Sequence, residues 1–159
     1  MVCVLFTLVI HWPEMTRTEV RTFLEDGVNA LTPVPEFGSG LVTDFNSIRS
    51  HDYPAVWQIT SPVSSEIANQ APVDSWDIDL IVAQIDKQDS SAEQYEHIID
   101  DCDEIAQKLT YQLRAIAEGF KLVQIKGTVR EPFVKKYADC LSGVNLRFTL
   151  VVQNQTNVC

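Results

Sequence analysis

Apolar residues recur every three or four positions along one stretch of the chain: Tyr95, Ile98, Ile99, Cys102, Ile105, Ala106, Leu109, Leu113 and Ile116. That is the helical period, and it gathers them into one stripe. Glu96, Asp100, Asp103, Glu104, Gln107 and Lys108 fall on the opposite face. The pattern predicts a long amphipathic helix over Ser90–Gly119, flanked on both sides by strand-like segments. Ser90 or Ser91 caps its start, with Glu93 or Gln94 three residues on as in a capping box. Gly119 supplies a stop, because glycine tolerates the left-handed conformation that ends helices. At ~1.5 Å per residue the helix is on the order of 40 Å long, enough to cover most of the face of a sheet. Its acids lie nearer the N-terminal end and Lys108 and Arg114 nearer the C-terminal end, the order the helix dipole favours.

A second, shorter helix is predicted over Thr16–Leu31. Thr16 and Glu19 make a capping box, and Val20, Phe23, Leu24, Val28 and Leu31 form its apolar stripe. Thr32-Pro33-Val34-Pro35 ends it, since proline cannot continue a helix. Strand signals follow. Leu41–Ile48 is weakly strand-like. Tyr53–Thr60 places Ala55, Trp57 and Ile59 on one face, and Ser61–Pro72 is polar and reads as a loop. In Val73–Lys87, Trp76, Ile78, Leu80 and Val82 alternate with Asp77, Asp79, Ile81 and Ala83, so its early part reads as half-exposed and its later part as buried on both faces. Phe120–Arg130 is a strand that Glu131-Pro132 breaks, and Tyr137–Gly143 is a connector. In Val144–Gln153, Val144, Leu146, Phe148, Leu150 and Val152 point one way. The expected fold is α+β, a mostly antiparallel or mixed β-sheet packed against one long and one shorter α-helix. Residues 15–153 form a single domain, preceded by an apolar arm or strand over 1–14 and followed by a polar tail over 154–159.

Composition changes this picture in two places. A chain of 159 residues with 45% hydrophobic content suits one domain with a sizeable core. The formal net charge of −10 argues against a general nucleic-acid-binding surface, which needs clustered Lys and Arg. Its bland consequence is solubility; its functional one is a surface that repels DNA phosphates. The apolar run Met1–Trp12 is too short to span a bilayer and lacks a basic n-region and cleavage site. Met15-Thr16-Arg17-Thr18-Glu19 is a natural start in its own right, which would make the first fourteen residues an upstream extension.

Candidate chemistry is thin. Cys3, Cys102, Cys140 and Cys159 form no CxxC pair and have no neighbouring His, so no zinc site is expected, while disulfide pairing stays open. Cys102 falls on the apolar stripe and reads as a small core residue. Asp100, Asp101, Asp103 and Glu104 sit on a helix surface, which does not converge oxygen ligands as a calcium loop does. Asp77 and Asp79 share a strand face, but no His or Lys lies close in sequence to complete an acid–base mechanism. His11, His51 and His97 are scattered. There is no GxSxG elbow, and Gly38-Ser39-Gly40 lacks the Lys-Ser/Thr ending of a phosphate loop. The reading is of a non-enzyme without a cofactor.

The element order of an initial helix, two or three strands, a long helix and two strands resembles the tail terminator or tail-completion proteins of tailed bacteriophages. The resemblance rests on Thr16–Leu31, Tyr53–Thr60, Asp77–Asp86 followed by Ser90–Gly119, and Asp139-Cys140-Leu141-Ser142-Gly143 leading into Val144–Val152. It is architectural, covers most of the chain after Met15 and carries no diagnostic motif. It implies a virion neck protein, assembled in the host cytoplasm, that forms a hexameric ring between the tail tube and the head–tail connector. Genomic DNA would only pass through the lumen, and no membrane would be involved. The resemblance implies no catalytic residues. Lumen acids would come from Asp77, Asp79, Asp100, Asp103 and Glu104. Contacts with tube or connector would come from the loop carrying Pro62, Glu66 and Asn69, and from the 127–143 connector with Arg130, Phe133, Lys135 and Lys136. The alternatives are a stand-alone α+β module that binds a peptide or small ligand, and a small hydrolase or nuclease, which needs convergent acids and a metal.

Overall fold

The alternating strand foreseen over Val73–Lys87 is the centre of the molecule. In the computed structural model, which describes residues 15–47, 53–68, 71–87, 89–119, 123–137 and 140–153, it is β4 (Ala71–Ile85). The other elements are α1 (Arg17–Asn29), β1 (Glu36–Gly40), α2 (Val42–Ser47), β2 (Ala55–Ile59), β3 (Val63–Ala68), α3 (Ala92–Gly119), β5 (Val123–Lys136) and β6 (Leu141–Gln153). They build a six-stranded sheet ordered β1-β2-β4-β6-β5, with β3 also paired to β4. β1 runs parallel to β2 and every other pairing is antiparallel. β2 and β3 occupy the same edge of β4 in succession, β2 against Asp79–Ala83 and β3 against Ala71–Trp76. The fold is the expected α+β mixed sheet against one long and one shorter helix.

Period-two alternation sorts the side chains onto two faces. Trp76, Ile78, Leu80 and Val82 of β4 and Val144, Leu146, Phe148, Leu150 and Val152 of β6 face the helices. There they meet Val20, Phe23, Leu24 and Val28 of α1 and Cys102, Ala106, Leu109 and Leu113 of α3 in the main core. The opposite face carries a smaller cluster of Phe45, Trp57, Ile81, Ala83, Phe133 and Leu141, with Tyr53, Ile59 and Tyr137 packed on it. Phe45 meets the edge of the Tyr137 ring at 5.4 Å, and Phe133 meets it at 5.3 Å.

Both helix starts agree with their sequence signatures. Thr16 and Glu19 complete a capping box, and Ser91 and Gln94 complete another: Ser91 N donates to Gln94 Oε1 at 2.8 Å and Gln94 N to Ser91 Oγ at 3.4 Å. Five expectations are corrected. Leu41–Ile48 is not a strand; its described part forms α2, where the Asp44 carboxylate accepts from Leu41 N at 2.7 Å. The strand here is β1, built from the Gly-rich segment just before it. Ser61–Pro72 is not a loop: its described part carries β3, laid antiparallel against the first half of β4. Pro132 does not break β5, because β5 is an edge strand and a missing N–H on the outer side costs no ladder bond. The connector expected up to Gly143 already belongs to β6 from Leu141. Gly119 is the last residue of α3 and is not in the left-handed region; among the described glycines only Gly40 and Gly127 have positive φ. The 1–14 arm and the 154–159 tail lie outside the described residues.

Cys102 is fully buried in the main core, and burial, with the charge of Asp101 adding to it, pushes its thiol up to about 12. It is a free thiol, as is Cys140. Iodoacetamide on the native protein should therefore leave Cys102 unmodified, and the same reagent in urea should label it, as peptide mass mapping will read. Labelling of native Cys102 at the rate of an exposed thiol would contradict this packing.

Candidate functional site

The five candidate lumen acids lie on two opposite sides of the domain. Asp77 and Asp79 belong to the face of β4 turned away from the helices, whereas Asp100, Asp103 and Glu104 ride on α3. One subunit cannot present both groups to a single passage. Most are also partly neutralised. Asp79 Oδ2 is 3.5 Å from Arg147 Nε, and Arg147 reaches Glu131 at 3.1 Å. Asp103 meets Arg130 at 3.1 Å. Glu104 meets Lys108 one turn on at 2.5 Å, and that hydrogen bond and charge hold its carboxyl below the usual range. Exposed pairs of this kind are screened by solvent and add little stability, but they do offset charge on the surface. Asp77 accepts a hydrogen bond from Thr149 Oγ1 at 3.2 Å and has no ion pair among the described residues. Asp100 is exposed.

The candidate contact residues divide as well. Pro62 and Glu66 are exposed, on the link into β3 and on β3 itself, and Asn69 lies outside the described residues. Phe133 is corrected: it is 8% exposed and locked in the second cluster, so it supports the connector and is not presented to a partner. Arg130 is tied to Asp103. Lys136 is exposed, with its ammonium 5.4 Å from the Tyr137 ring centroid. Burial pushes the Tyr137 phenol up, Asp79 adds to the shift and Arg147 opposes it.

Lys135 belongs to a network with no local sequence signal. Its backbone N donates to Ser142 Oγ at 3.0 Å, and its Nζ donates to Ser90 O at 3.2 Å. Ser142 Oγ donates in turn to Asp86 Oδ2 at 2.6 Å, and Ser90 Oγ donates to Asp86 Oδ1. Asp86 is 3% exposed. This single carboxylate ties the end of β4 to the entry of α3 and to the β5–β6 connector. Lys135, Tyr137 and Cys140 all have φ between 48° and 68°, an unfavourable region for side-chain-bearing residues. The latch and the aromatic cluster hold the connector in that shape.

The sequence reading also passed over a cleft beside the first turn of α1, of about 210 Å³. Its wall includes Arg17, Thr18 and Arg21 from the helix, Gln58 from β2, Ser61 from the link and Trp76 from β4. Arg17 donates to Ser61 O at 2.6 Å, and its guanidinium carbon is 5.4 Å from the Trp76 ring centroid. The arginines leave a trace in the sequence. Cations are disfavoured in a helix's first turn, yet Arg17 and Arg21 stand one turn apart at that end.

Among the described residues no three His, Cys, Asp or Glu side chains converge as a metal site, and no helix is long and apolar enough to cross a membrane. No protein-family model matches the chain, and no curated protein matches it significantly.

Proposed function

We propose that the chain is a structural subunit of a tailed-phage neck: a tail terminator that assembles as a ring, joins the tail tube to the head connector and lets DNA pass. The observation that carries this reading is the β3–β4 arm. Ile67 is 81% exposed and Val63 is 39% exposed on β3. Among the described residues β3 pairs with β4 alone, so its outer edge offers unsatisfied N–H and C=O groups beside apolar side chains. Edges of that kind are normally shortened, charged or covered, and in a symmetric oligomer a neighbouring copy is the natural cover. The net charge of −10 suits a conduit to which DNA does not adhere.

Light scattering of the protein alone and mixed with tail tubes, with negative-stain microscopy, tests the reading. Rings, or a cap at one tube end, are the expected result; a monomer that ignores tubes at high concentration overturns it. Ile67→Lys places a charge on the exposed edge. It should abolish assembly while changing monomer stability by no more than about 0.5 kcal/mol, the usual range for surface substitutions. Unchanged assembly would move the interface elsewhere.

A stand-alone binding module is the second reading. The cleft beside α1 favours it, and a protein that stays monomeric and holds a ligand there would establish it.

A further inference from the structure

We propose that the apolar segment Val2–Ile10 adds as a strand to the free edge of β3 and runs antiparallel to it. The segment lies outside the described residues. The edge it would cover, the place where the described chain begins and the residues of the segment itself all point to this pairing.

The sheet guards its β5 edge and leaves its β3 edge open. β5 carries Lys126, Arg130, Lys135 and Lys136, a proline at 132, a Gly127 with φ of 64° and two register shifts against β6. These are the devices that keep an edge strand from pairing. β3 has none of them. Its six residues pair with β4 in unbroken register and include one charge, Glu66. Asp77 N donates to Pro62 O at 3.2 Å, so the alternation of an antiparallel ladder turns the N–H and C=O groups of Val63, Ser65 and Ile67 away from β4. Their side chains are exposed as well, on the helix side of the sheet that Trp76 shares. A strand laid along this edge would satisfy those backbone groups and cover Val63 and Ile67.

The described chain begins beside the start of β3. Met15 packs on the main core, and Arg17 Nη1 donates at 2.6 Å to Ser61 O, two residues before the strand. Residues 11–14 supply a link of up to about 14 Å. Followed from Met15 towards the N-terminus, the chain meets β3 at Val63 and proceeds towards Ala68, which sets the antiparallel direction. As a strand Val2–Ile10 spans about 30 Å, against about 20 Å for β3.

The segment has the composition of a paired strand. It carries no charge and one hydroxyl, Thr7, and Val2, Val4, Thr7, Val9 and Ile10 are β-branched. Each large apolar side chain left in water forfeits roughly 1.5–3 kcal/mol of burial. The same strand contacts form within one copy or by exchange between neighbouring copies, so the pairing does not depend on ring assembly.

Amide hydrogen exchange of the 15N-labelled 159-residue chain tests this pairing. The outward N–H groups of Val63, Ser65 and Ile67 should exchange slowly, as paired strand amides do. Leu5→Pro/Phe6→Pro places adjacent prolines in the segment, so a ladder donor is lost whichever of the two faces β3. Exchange at those β3 amides should then rise at least about ten-fold, while β4 and β6 keep their protection. Fast exchange in the parent, or slow exchange that survives both prolines, would overturn the proposal. A nitroxide on Cys3, in a chain with Cys140→Ser and Cys159→Ser and with Cys102 buried, reads the direction with the prolines absent. It should broaden the Ile67 amide more than the Val63 amide; the reverse order, or no broadening of either, would also overturn it. Light scattering decides assembly separately: a monomer with β3 protected removes the ring and leaves this pairing in place.

Discussion

Gly143→Ala should lower the urea midpoint sharply, the largest effect we expect from any single methyl group. A Cβ at this position would lie 2.0 Å from the Val82 carbonyl oxygen and 3.0 Å from the Ala83 Cα. Both atoms are backbone of β4, the strand beside it, and Gly143 also pairs with Phe133 of β5 on its other side. No flexible side chain is there to give way, so the sheet itself must move. Overpacking that neighbouring side chains can absorb costs about 1–3 kcal/mol. Here we expect at least about 3 kcal/mol, a large share of the ~5–15 kcal/mol that holds a domain together. A Cβ at Gly119 meets nothing within 4 Å, and Gly119→Ala in the helix should be neutral or stabilising by up to about 1 kcal/mol. Urea midpoints of the two variants read the contrast. A Gly143→Ala midpoint equal to the parent's would mean that β4 and β6 do not approach as closely as described.

Asp86→Asn should cost about 2–3 kcal/mol at neutral pH, and the cost should shrink in acid. The substitution keeps the shape of the side chain but replaces an acceptor-only carboxylate that two serine hydroxyls and a nearby lysine address. Hydrogen bonds to a charged group contribute about 1.5–3 kcal/mol, and the Ser142 hydroxyl left behind is fully buried. Burial by itself would raise the Asp86 carboxyl. The hydrogen bonds from Ser142 and Ser90, the charge of Lys135 and a backbone hydrogen bond at Lys87 outweigh it and hold the carboxyl below its ordinary value of 3.8. The folded state therefore holds fewer protons at this site than the unfolded chain does. The stabilisation is fully present above the unfolded value of about 3.9 and is lost as pH falls through the lower folded value. Melting curves of parent and Asp86→Asn between about pH 2 and pH 7 should converge at the acid end. A gap that stays constant over that range would show that the charge of Asp86 contributes nothing.

Asp86 and Gly143 also mark a limit of the sequence. Asp86 accepts from Ser90 four positions on, but the buried partner that completes its acceptor role, Ser142, is 56 positions away. The cleft has the same character. Arg17 and Arg21 are visible as misplaced cations at a helix start, but the carbonyl of Ser61 that orients Arg17 is 44 residues on. The expected lumen acids illustrate the converse. They were legible as acids, and only the layering of α3 over one face of the sheet separates Asp100, Asp103 and Glu104 from Asp77 and Asp79.

By itself the sequence determined what short-range physics settles. Two capping boxes set the starts of α1 and α3, a three-and-four spacing set the buried stripe of α3, and strict alternation set the inward faces of β4 and β6. Each depends on residues within a few positions of one another, so periodicity and propensity decide it. The tertiary structure decided the rest. It folded Val42–Ser47 as a helix that delivers Phe45 to Trp57 and Tyr137, laid polar β3 along β4, and let β5 run through Pro132 at a sheet edge. In each case the deciding partner is distant in sequence, and a strand that borrows its pairing, or a short helix that borrows its anchor, has no local pattern of its own.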